Sequence, residues 1–150
     1  MAVRFQIVVD CKDAERLAKF WSEALAYQLE PSPEGFATWR DFYASLGVTG
    51  TDLDIGPDSI CDPNGHGPRI WLHQVPEART VKNRLHFDLH ASGPRWAYLR
   101  TPLEDRRKAI EAEAARLVAL GATRLETLDE WQDHYAVAMA DPEGNEFDVN

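Results

Sequence analysis

The chain has 150 residues, 44% of them hydrophobic, enough for one compact domain with a real core or two half-domains that share one. It carries 25 acidic against 16 basic side chains, a net charge of −9, and no run of Lys and Arg that could follow a phosphate backbone, which sets nucleic acid aside as a partner. The N-terminal FQIVV run is broken at Asp10 and is too short for a signal-peptide core or a membrane span, so a cytoplasmic protein is expected, with Cys11 and Cys61 as isolated thiols.

In chain order, residues 4–9 alternate as a strand, and Asp13 then caps a helix whose Leu17, Phe20, Trp21 and Leu25 form an apolar stripe. The PSPEG segment breaks the chain, GFATW reads as a short strand, and RDFYASLGV as a helical turn ended by Gly47. A strand at Ser59–Ile60 enters the turn DPNG, and residues 69–75 form the next strand, so residues 1–78 read as βαβββ.

Residues 79–150 repeat that order. A strand over residues 84–90 precedes a helix announced by Thr101, with Pro102 at its first position and Glu104 completing a Thr-x-x-Glu capping box. Ile110, Ala114, Leu117 and Val118 give this helix its apolar face, and Gly121 ends it. TRLETL, HYAVAMA and EFDV supply three strands, the last two joined by DPEG, which echoes DPNG. The expectation is an α+β fold: a single domain of two pseudo-symmetric βαβββ modules that form a curved mixed sheet, a half-barrel around a cleft.

One stretch carries chemistry in its alternation. In VKNRLHFDLH, His86, Asp88 and His90 occupy every second position and so share a face, opposite Leu85, Phe87 and Leu89. The wet face is expected to line the cleft. Lys82, Asn83 and Arg84 just ahead of it could reach an anionic ligand or form a cationic strand entry, and Trp39, Phe42, Tyr43, Trp71, Trp96 and Tyr98 could wall a planar ligand or fill cores. No GxSxG elbow, P-loop or dinucleotide glycine motif is present, and the two Asp-Pro turns lack the further acidic residues of a calcium loop.

FQIVVDCKDAERLAKFWSEALAY, VPEARTVKNRLHFDLH, LGA and DPEGNEFDV together resemble the vicinal oxygen chelate superfamily, the glyoxalase, bleomycin-resistance and dioxygenase group, and within it a glyoxalase-like subgroup. The resemblance implies that each module offers two metal-ligand positions, one on its first strand and one on its last. Gln6, His86 and Asp148 fall on three of them; the fourth falls on Trp71 or Leu72, which bind no metal, unless a register slip brings in His73. His86 and Asp148 are thereby the expected catalytic pair, and Asp10, Asp88, His90, Trp71 and His73 the expected ligand-binding residues, with Asp10 and His90 expected to pair across the pseudo-symmetry.

Two functions stay open on these residues. One is a protein that binds a small molecule in the cleft with a degenerate metal site. The other is a metal-dependent lyase, isomerase or dioxygenase using Gln6, His86 and Asp148. The cofactor is accordingly one divalent ion (Zn, Ni, Fe or Mn) or none, and the superfamily resemblance implies a homodimer.

Overall fold

The computed structural model describes residues 3–50, 57–94, 100–129 and 134–150; Trp96 and Tyr98 lie outside them. The chain divides into two compact units, Met1–Ala78 and Arg79–Asn150.

The first unit contains β1 (Ile7–Cys11), α1 (Ala14–Leu25), β2 (Gln28–Leu29), α2 (Trp39–Ser45), β3 (Ser59–Cys61) and β4 (Ile70–Gln74). Its sheet runs β1-β4-β3-β2, with β1 parallel to β4 and the other pairs antiparallel. Asp13 caps α1 as expected, accepting from the Arg16 amide at 3.0 Å. Leu17, Ala18, Phe20, Trp21 and Ala24 of α1 are buried, and the sheet buries the apolar side chains Cys11, Ile60, Ile70 and Leu72 together with Ser59. GFATW is not the second strand, which follows α1 directly at Gln28–Leu29. The reason is local: the Thr38 hydroxyl accepts from the Asp41 amide at 3.1 Å and caps α2, which draws the segment into a helix start.

The second unit contains β5 (Asp88–Leu89), α3 (Leu103–Leu120), β6 (Thr123–Leu128), β7 (Ala136–Ala140) and β8 (Glu146–Val149). Its sheet runs β5-β8-β7-β6 with β5 parallel to β8, the same topology as the first. Ile110, Ala114 and Leu117 on α3 are buried, as are Val137, Met139, Phe147 and Val149 on the sheet; Val118 is not, at 47% exposed. The capping box does not form. Pro102 itself is the cap, its carbonyl accepts from the amides of Asp105 and Arg106, and no side chain bonds there. Thr101 instead offers its carbonyl to Nε of the buried Arg106 at 3.0 Å.

The opening strand is shorter than its alternation predicts. The register pairs Asp88 with Asp148, so residues ahead of 86 lie opposite the Asp141–Asn145 turn, which has no strand edge to offer. Leu85 is 89% exposed in consequence. The two Asp-Pro turns are as read, each with an Asp carboxylate gathering backbone amides and a glycine at positive φ, Gly65 at 70° and Gly144 at 86°. Among the described residues no helix is long and apolar enough to cross a membrane.

Candidate functional site

Each module places its chemistry on the sheet face opposite its helix. In the second module, Asp88 and Asp148 are direct partners in the parallel β5–β8 pair, and directly opposed strand residues share a face. His86 lies two residues before Asp88, and its Nε2 is 3.5 Å from Asp88 Oδ1 and 3.6 Å from Asp148 Oδ2. One donor atom from each of the three lies within 4.8 Å of the other two. Asp148 is also the cross-strand partner of Ala138, a small residue beside the carboxylates that leaves this face uncrowded.

The electrostatics of the group point one way. Burial raises the Asp148 carboxyl above its ordinary range, and the charges of Asp88 and Glu146 raise it further, against His86 and Lys82, which lower it. Lys82 reaches Glu146 at 3.2 Å, so that cation is shared with a third carboxylate. Two converging carboxylates and an imidazole are a donor set that suits a divalent cation of borderline to hard character, and a cation there would relieve their mutual repulsion. The residues present therefore fit a divalent metal.

The equivalent face of the first module is built differently. Val8 stands where Asp88 does, and its β4 partner is Trp71, in the position of Asp148. Trp71 is thus the register counterpart of Asp148; Leu72 is fully buried on the opposite face, and His73 lies two residues further along the same face as Trp71. Gln6, equivalent to His86, is engaged: its Oε1 accepts from Arg69 Nη1 at 2.7 Å. Arg69 also donates to both Glu30 oxygens, at 2.8 and 2.6 Å, and to Ser59 Oγ at 2.8 Å, and hydrogen bonding to Glu30 raises its pKa further. Ser59 donates to Asp58 Oδ1 at 2.8 Å, and the Trp71 indole N–H donates to Asp58 Oδ2 at 2.9 Å.

Asp10 and His90 each find a partner in their own module. Asp10 Oδ1 lies 3.1 Å from Nδ1 of His73, its β4 register partner, and His90 Nδ1 lies 2.6 Å from Asn150 Oδ1. Among the expected site residues, the structure groups His86, Asp88 and Asp148, and separately Asp10 with His73 and Trp71. Asp88, expected among the ligand-binding residues, lies beside His86 and Asp148. Arg69 and Glu30 stand 39 residues apart, and their pairing carries no local signal in the sequence.

Paired βαβββ modules with ligand positions on the first and last strands define the vicinal oxygen chelate class. A family model for the glyoxalase-like domain matches residues 6–150, and the chain belongs to that family. Solved structures share the fold at low identity. A glyoxalase/bleomycin resistance protein/dioxygenase family enzyme from Burkholderia phytofirmans is 15% identical, with a TM-score of 0.57, over 97% of this chain and 94% of its own. A variant of the fosfomycin resistance protein FosX from Listeria monocytogenes, solved with Mn(II) and 1S,2S-dihydroxypropylphosphonic acid, is 11% identical, with a TM-score of 0.58, over 100% and 90%. A hypothetical protein from S. aureus is 12% identical, with a TM-score of 0.58, over 99% and 93%. No curated protein matches this chain in sequence.

Proposed function

We propose that the chain binds a small oxygen-bearing molecule at a divalent metal centre held by His86, Asp88 and Asp148. The convergence of these three donors within one module carries the reading. In it Asp88 supplies the third donor, and Gln6 stays with Arg69. When bound, the ion (Mn, Fe, Ni or Zn) supplies a Lewis acid for paired substrate oxygens, which is the chemistry of lyases, isomerases and dioxygenases built on this fold. The chain's own share is to fix the donors through the β5–β8 register and to keep the adjoining face open beside Ala138. A cytoplasmic homodimer belongs to the same proposal; sedimentation at micromolar concentration tests the dimer.

A second reading, a metal-free protein that sequesters its ligand, is favoured by Trp71 at the fourth ligand position. Elemental analysis of protein purified without a histidine tag or chelator, with a melting screen against the four ions, separates the two. Near-stoichiometric metal, or a melting shift lost in both His86→Ala and Asp88→Asn, supports the centre. Absence of both retires it in favour of sequestration. Retention of the shift in Asp88→Asn with its loss in Gln6→Ala would return Gln6 to the ligand set.

A further inference from the structure

We infer that the first module carries a recognition surface of its own, for a flat ring bearing an acceptor oxygen, with Gln6 Nε2 as hydrogen-bond donor, Trp71 as ring platform and Arg69 as positioning residue. The argument begins with which way the Gln6 amide faces. A guanidinium only donates, so the Gln6 atom that meets Arg69 Nη1 at 2.7 Å must be the carbonyl oxygen. The NH₂ group then necessarily faces away from Arg69, on an exposed side chain, and it has no hydrogen-bond partner among the described residues. A position that could have offered a lone pair to a cation is turned into a donor.

The platform is fixed by the same network. From Gln6 the bonds run through Arg69 to Ser59, from Ser59 to Asp58, and from Trp71 to Asp58, so amide and indole are held by one hydrogen-bonded relay anchored on the buried Ser59. Val8, the register partner of Trp71, shares its face and is 46% exposed, which puts an aliphatic side chain next to the half-buried indole. The His73 ring lies 4.6 Å from Trp71 at a 42° tilt and limits the indole on its other flank. Donor and platform are thus held in place before any ligand arrives, which lowers the cost of binding. The fit is to a planar ring with a carbonyl-type oxygen at its edge, and the surface does not depend on the metal centre.

The test uses the full chain stripped of metal with a chelator, and two probes of nearly equal shape, 2-acetylnaphthalene and 2-ethylnaphthalene, in equilibrium dialysis. The wild type is expected to hold the acetyl compound about fivefold more tightly, the worth of one neutral hydrogen bond. Gln6→Glu keeps an acceptor for Arg69 but has no N–H to give, so the preference falls to about one while the melting temperature holds. Arg69→Lys, which loosens the amide without removing it, lowers the preference part of the way. Trp71→Leu weakens both probes about tenfold. His86→Ala leaves the ratio unchanged, which keeps this result separate from the fate of the metal centre. Equal affinity of the wild type for the two probes, no binding of either, or a preference that survives Gln6→Glu would overturn the inference.

Discussion

Asp148 and Glu111 are carboxylates of the same module whose surroundings move them in opposite directions. Burial raises Asp148, so between its unfolded and folded pKa values the native state holds the extra proton, and stability falls as pH rises through that interval. The penalty is fully present once pH has passed the folded-state value. Metal-free Asp148→Asn should therefore melt at or above the wild-type temperature at pH 7 while losing any metal-induced shift; a clear loss of metal-free stability would contradict this. Glu111 accepts two hydrogen bonds from Arg124, at 2.7 and 2.8 Å, and one from Tyr135, and the Arg124 bonds are the main cause of its fall to about 2. Its contribution is present above the unfolded value, near 4.5, and is lost as pH falls towards 2. With both charged partners partly exposed, Glu111→Gln should cost about 1 kcal/mol at pH 7 after solvent screening, a difference that narrows on acidification in denaturant melts. His86 and Asp148 came into view at this scale through the resemblance to the vicinal oxygen chelate superfamily. The Arg69–Glu30 clasp and the Arg124–Glu111 pair were hidden because only the folded sheet and helix bring those residues together.

At the scale of elements, the repeated Asp-Pro turns were legible because their chemistry is local. Asp141 is buried and accepts from the Glu143 and Asn145 amides at 2.9 Å each and from the Asn145 side chain at 2.9 Å. Asp141→Ala would leave those donors without an acceptor in the turn that sets the β7–β8 register, at a cost of about 2 kcal/mol in denaturant unfolding, with Asp141→Asn recovering part of it. Where two local signals competed, the local sequence did not decide the structure. Thr38 could begin a helix or sit in a strand, and only its bond to the Asp41 amide decides. Thr101 and Pro102 both matched helix-start positions one residue apart, and the Pro102 carbonyl, which accepts from the amides of Asp105 and Arg106, settles the start at Leu103. The length of β5 could not be read from alternation at all, since it is set by how much of β8 is available to pair.

For the whole molecule, the duplicated element order was the most informative feature of the sequence, and the two sheets share one strand order. What the repeat concealed is that like positions hold unlike chemistry: Asp88 and Asp148 in one module, Val8 and Trp71 in the other. If the ion is held by the second module alone, hydrogen exchange with and without Mn²⁺ should show added protection at residues 86–89 and 146–149 and none at residues 7–11 and 70–74. Equal protection in both modules would place donors in each.

The shared register also makes the two faces interchangeable in principle. Gln6→His, Val8→Asp and Trp71→Asp would write the His86, Asp88 and Asp148 arrangement onto β1 and β4 at matching positions, with Arg69, which stands where Glu146 does, as the neighbour opposed to it by charge. If the second module holds an ion, a chain rebuilt in this way, with Arg69 also changed to Glu, would carry two copies of that donor set, and its metal content would double. The present asymmetry would then be a reversible specialisation of a duplicated frame, four side chains deep.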